Sequence, residues 1–159
     1  MKRCFLLIIF FFSVFFVVAQ KTQKQHMRDA EKIAVSWLEK LNKKQYYDCW
    51  NMLAEKTQSQ TSFEQWNAYF STELMPELGN FISRKYYLAE IEKKIEGLPE
   101  GLYVTIRYES DYKNTESVEE IILLHLLENG QWSILSYFAE YQLIDDDGEE
   151  PKSKLKNTK

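Results

Sequence analysis

Two histidines, two arginines on neighbouring predicted strands and an unusual density of tyrosine are the side chains of this 159-residue chain that suit catalysis or recognition. A histidine acts as a general base when a carboxylate within hydrogen-bond reach holds its tautomer. His125 is the only histidine in the predicted sheet. The register expected from the Asn129-Gly130 turn puts it on one face with Trp132 and Ile134, and its nearest acidic residues there are Glu119 and Glu128, at the ends of its own strand. A structural histidine is the competing reading. His26 lies near the N-terminus with no partner that spacing identifies, and two histidines so placed do not make a metal site. Arg84 could clamp an anionic ligand bidentately, and Arg107 could do so from the next strand. The competing reading for both is a surface ion pair with Glu109 or Glu119. Tyr86, Tyr87, Tyr103, Tyr108, Tyr112, Tyr137 and Tyr141 provide rigid contact area with polar tips, as binding surfaces do, although aromatics also fill ordinary sheets. The candidate ligand-binding residues are therefore His125, Trp132, Tyr137 and Arg84. No catalytic residue, metal ligand or cofactor site is assigned.

Elements must position these side chains. From Met27 to Lys43 the residues Ala30, Ile33, Ala34, Trp37, Leu38 and Leu41 form the apolar stripe of a half-buried helix. Tyr46, Cys49, Trp50 and Leu53 repeat that spacing, which predicts a second helix across a short connection at Asn42-Lys43-Lys44-Gln45. A third helix opens at Thr61 or Ser62, where Thr61 with Glu64 or Ser62 with Gln65 can form a capping box. It buries Phe63, Trp66, Tyr69, Phe70 and Leu74 and ends at Gly79.

Beyond Gly79 the period becomes two. Ser83 to Ile91 reads as one strand and Leu102 to Glu109 as another, separated by the turn cluster Gly97-Leu98-Pro99-Glu100-Gly101. The third strand, Val118 to Glu128, is apolar on both alternating sets through Ile121-Leu127 and is expected inside the sheet, covered on both faces. Asn129-Gly130 predicts a two-residue type I′ hairpin. That register sets Leu127 opposite Trp132, His125 opposite Ile134, Leu123 opposite Ser136 and Ile121 opposite Phe138.

The ends of the chain have their own composition. Lys2 and Arg3 precede an apolar run from Phe5 to Ala19, the pattern of a cleavable signal peptide. Fifteen residues span about 22 Å as a helix, short of the roughly 30 Å hydrocarbon core, so cleavage is expected over a stable membrane span. The reading divides the chain into a signal peptide at 1–19, a flexible segment at 20–25, one α+β domain at 26–143 and a disordered charged tail at 144–159. An exported protein, periplasmic or secreted, follows from it. The net charge of −4 becomes more negative once Lys2 and Arg3 are removed, which disfavours nucleic acid as a partner. With Cys4 in the signal segment, Cys49 stands alone, so no intramolecular disulfide forms. It could link two chains or serve as a small buried hydrophobe.

The order Trp37, Tyr47-Asp48-Cys49-Trp50, Trp66, Leu78-Gly79, Ser83-Arg84, Gly97-Leu98-Pro99-Glu100-Gly101-Leu102-Tyr103-Val104, Glu119, Gly130-Gln131-Trp132 and Tyr137 resembles the secreted bacterial domain-of-unknown-function family numbered four-thousand-and-nineteen. The resemblance runs from about Ala30 to Tyr137. Its most specific piece is the segment Gly97 to Val104, and it departs from the family at Ser136, where a glycine is usual. It implies an export signal and a fold similar to the nuclear transport factor and cystatin-like group: about three helices on a curved antiparallel sheet of about four strands. It implies no reaction. The expected function is a non-catalytic module that binds a small apolar ligand or pairs as a homodimer. The alternatives are a small isomerase or hydrolase with a cavity His or carboxylate, on analogy with other cone-shaped folds, and a membrane-anchored envelope component.

Overall fold

The computed structural model describes residues 22–144 and the backbone of 154–157. The signal segment at 1–19 and most of the charged tail lie outside the described residues. Helices come first and an antiparallel sheet follows, the α+β class expected from the change of period.

Helix α1 (Gln23–Asn42) is capped by the Thr22 hydroxyl, which accepts from the Gln25 amide at 3.2 Å. Its stripe is the expected one, with Ala30, Ala34, Trp37, Leu38 and Leu41 buried. Lys44, at φ 59°, turns the chain into α2 (Tyr46–Asn51). Trp37 and Cys49 bind α1 to α2 reciprocally: the indole Nε1 donates to the Cys49 carbonyl at 3.1 Å, and the Cys49 thiol to the Trp37 carbonyl at 3.6 Å. Burial pushes the thiol pKa up to about 12. Cys49 is thus the small buried hydrophobe and not a link between chains.

A short helix absent from the sequence reading, α3 (Glu55–Gln60), buries no residue and escapes a periodicity search for that reason. Helix α4 (Phe63–Ala68) starts with the capping box of Ser62 and Gln65. The single third helix expected from there to Gly79 is divided by a π-helical turn, Tyr69–Leu74, before α5 (Met75–Leu78). Pro76 has no amide to donate, and the Thr72 hydroxyl takes the Ala68 carbonyl at 2.7 Å, so the α ladder is interrupted there. The wider turn keeps Phe70, Leu74, Met75 and Leu78 all buried. Gly79 ends the run at φ 80°.

The sheet has the order β1 (Phe81–Glu92), β2 (Tyr103–Tyr112), β3 (Thr115–Leu126), β4 (Trp132–Leu143), β5 (Lys154–Asn157), every pair antiparallel. β5 falls within the stretch read as a disordered tail. It pairs with the part of β4 from Phe138 to Tyr141. The inner face of the sheet, set by Val104, Ile106, Val118, Ile122, Leu124, Ile134 and Ala139, packs with the helices into one core. Trp37 lies at its centre, with Tyr137 at 5.1 Å and Phe70 at 6.2 Å between ring centroids.

Two expectations for β3 are corrected. The outer face of the strand is only half covered, with Glu119, Ile121, Leu123 and His125 all part-exposed, because the helices pack against the inner face. The hairpin register also differs near the turn. The Gly130 amide donates to the Leu127 carbonyl and the Leu127 amide to the Gln131 carbonyl, so the loop holds three residues, with Gly130 at φ 81°. Leu126 therefore opposes Trp132, and His125 opposes Ser133. A bulge at Leu135 then restores the expected pairs Leu123 with Ser136 and Ile121 with Phe138. It is pinned from outside the hairpin: the Ala54 amide donates to the Ile134 carbonyl at 2.7 Å, and the Thr57 hydroxyl to the Leu135 carbonyl at 2.7 Å.

Candidate functional site

The local register decides where the four candidate residues go. His125 lies on the outer face, and Trp132 lies opposite Leu126 on the inner face, so the structure separates two residues that the two-residue loop would have joined. Trp132 is buried, edge-on to His26 at 6.1 Å. Neither its Nε1 nor the Nδ1 of His26 has a hydrogen-bond partner. Arg84 and Tyr137 do come together, through a residue that the sequence reading passed over.

That residue is Glu120, which is fully buried on the inner face between Val118 and Ile122. Its Oε2 accepts from Arg84 Nε at 2.6 Å and from the Ser110 hydroxyl. Its Oε1 accepts from Tyr137 at 2.7 Å and from Tyr112 at 3.0 Å. Arg84 also donates from Nη2 to the Tyr112 hydroxyl at 3.1 Å, and its guanidinium lies 4.7 Å over the Phe81 ring. A buried carboxylate survives when its charge is paired and its lone pairs are filled, and Glu120 meets both conditions. Burial alone would lower the Arg84 pKa, but the charge and hydrogen bond of Glu120 outweigh it and hold the guanidinium protonated. Burial, with the nearby Glu120 charge, raises the Tyr137 and Tyr112 phenols well above their ordinary range, so both remain donors. Arg84 is therefore an interior partner of Glu120, not a surface residue paired with Glu109 or Glu119. Arg107 does make the expected surface pair, with Glu119 at 2.6 Å.

The Glu120 signal was present in the sequence. An acidic residue in phase with Val118, Ile122 and Leu124 sits on the buried set of the strand and needs a cation opposite. Arg84 and Ser110 are paired across β1 and β2, one strand away.

His125 belongs to a different place, a cleft of about 470 Å³ at the end of the sheet. Its imidazole stacks on the Tyr103 ring at 4.6 Å and 14°. The Tyr103 hydroxyl donates to the Pro99 carbonyl at 2.8 Å, fastening the 97–101 turn to the strand. Gly101 leaves room for the stack, since a Cβ there would stand 2.7 Å from His125 Nε2. Ala54, Leu98, Pro99, Leu127 and Leu135 supply its apolar lining, and Glu55, Lys56 and Glu128 add charged groups. Partial burial lowers the His125 pKa, which favours neutral imidazole. Among the described residues no carboxylate hydrogen-bonds the ring, so nothing holds it as a general base would be held.

Among the described residues no group of three or more His, Cys, Asp or Glu side chains comes together to hold a metal ion, and no helix is long and apolar enough to cross a membrane. The model of a family described as a protein of unknown function, DUF4019, matches residues 33–137. No curated protein and no solved structure matches the chain.

Proposed function

Because the chain belongs to the DUF4019 family, whose description names no activity, we propose its role from its own geometry: a non-catalytic binding module that takes a small apolar or aromatic molecule in the cleft floored by Tyr103 and His125. One observation carries this reading. The segment through which the sequence most specifically resembles the family, Gly97 to Val104, supplies that cleft with wall, floor and space: Leu98 and Pro99 line it, Gly101 admits the imidazole and Tyr103 stacks beneath it. Apolar walls with a few polar groups at the rim are the usual make-up of a small-ligand site.

The interior argues against the catalytic alternative. Its carboxylate, Glu120, already accepts from four donors, and a general base needs a lone pair free for substrate. Export is part of the proposal, on the strength of Lys2, Arg3 and the apolar run to Ala19. A fold related to the cystatin-like group is likewise proposed, on the helix-then-sheet order.

Native mass spectrometry of the protein purified gently after export tests the reading. The expected spectrum has a chain cleaved after Ala19 that carries a reproducible small-molecule increment, lost in Gly101→Leu, whose Cβ would stand 2.7 Å from His125 Nε2 and force the imidazole from its place in the cleft. A bare mass for the wild type, or an increment retained in that variant, would overturn it.

A further inference from the structure

Four of the exposed large hydrophobic side chains of the described residues, Phe81, Ile82, Tyr86 and Tyr87, lie on one strand, β1. Tyr87 is 67% exposed and Ile82 64%. β1 is also the edge of the sheet: β2 pairs with one side of it, and among the described residues no strand pairs with the other. A twelve-residue edge with apolar side chains is a template for another strand. From this we propose that β1 is a homodimer interface, its occupant being β1 of a second copy, paired antiparallel about a two-fold axis between Tyr87 and Leu88.

Charge and face select that occupant. β1 carries an exposed base, Lys85, in its first half and exposed acids, Glu90 and Glu92, in its second, while the Arg84 charge is taken up by Glu120. A strand so divided is complementary to itself when reversed. The two-fold sets Lys85 of each copy opposite Glu90 of the other, with Tyr86 opposite Ala89 and Tyr87 opposite Leu88 between them. Lys85 and Glu90 are both exposed, and within the protomer neither makes an ion pair among the described residues.

The bulge between Tyr86 and Leu88 makes the faces agree. Lys85 opposes Glu109 of β2 and Glu90 opposes Thr105, both on the outer face, whereas Tyr86 and Ala89 oppose Tyr108 and Ile106 on the inner face. Without the extra residue, positions 85 and 90 would fall on opposite faces and could not meet across an antiparallel pair. The result is an apolar centre flanked by two symmetric charge pairs, the self-complementary layout that a two-fold interface requires. It is distinct from the cleft, whose lining includes no residue of β1.

Sedimentation velocity of the exported protein, from low micromolar to about 200 micromolar, tests it with charge reversal. The wild type is expected to dimerise. Lys85→Glu sets like charges opposite Glu90 twice and is expected to weaken the dimer by roughly tenfold or more, and Lys85→Glu with Glu90→Lys to restore it. Both positions are exposed, so each variant is expected to fold, with circular dichroism as the check. A wild type monomeric throughout, or a dimer indifferent to the reversal, would overturn the proposal. Loss of ligand in Gly101→Leu with the dimer intact would leave the two readings separately judged.

Discussion

Glu120 shows how one residue can look functional and yet be committed to structure. A buried carboxylate among arginine, serine and tyrosines has the composition of an acid-base site, but each of its four hydrogen bonds comes from the protein itself. Removing it leaves Arg84 uncompensated inside the fold. Glu120→Ala is therefore expected to cost about 3–5 kcal/mol of stability, measured by chemical denaturation. Arg84→Met should cost less, because three hydroxyl donors to the carboxylate remain. Equal costs would show that the hydroxyls contribute nothing. His125 makes a separate prediction. Its folded pKa lies below the ordinary 6.5 because burial disfavours the cation. Between the folded value and 6.5 the unfolded chain binds more protons, so the His125 contribution to stability is complete above about 6.5 and lost as the pH falls through that window. An NMR titration should put the wild-type midpoint below 6.5 and that of Gly101→Ala nearer to it, since the new Cβ forces the imidazole off Tyr103.

Elements were legible where a period and a cap agreed. The α1 stripe, the Ser62 capping box, the Gly79 stop and the alternation of β2 all carry direct physical signals, and all stand where those signals put them. The β3–β4 hairpin shows the limit. Asn-Gly suits a two-residue loop with both residues at positive φ, yet it also suits a type I turn closed by a glycine at positive φ, and local sequence does not choose between them. The choice came from distant residues: Ala54 and Thr57 bind the backbone at Ile134 and Leu135 and hold the compensating bulge. The cost of missing it fell on the candidate site, since one position of register sent His125 and Trp132 to opposite faces. The three-residue loop depends on Gly130 at φ 81°. Gly130→Ala should destabilise by about 1–2 kcal/mol, read by thermal or urea unfolding, and no change would mean that the turn is made differently.

At the scale of the whole molecule, the proposed recognition surfaces lie apart from the packed interior. The space between helices and sheet is filled by Trp37, Phe70, Tyr137 and the Glu120 network. Tyrosines accordingly divide by position: Tyr103, Tyr108, Tyr112, Tyr137 and Tyr141 are buried, and Tyr86 and Tyr87 are exposed on the edge strand. Their number alone could not separate those two uses, because aromatic residues serve strand packing and recognition equally well. The central claim is that ligand enters at the end of the sheet and not between sheet and helices. Amide chemical-shift mapping of the labelled protein against a set of small aromatic and apolar fragments tests it most directly. Shifts confined to residues around Leu98, Tyr103, His125 and Leu127 are the predicted result. Shifts centred on Arg84, Glu120 and Tyr137 would contradict it and return the interior to consideration as an active site.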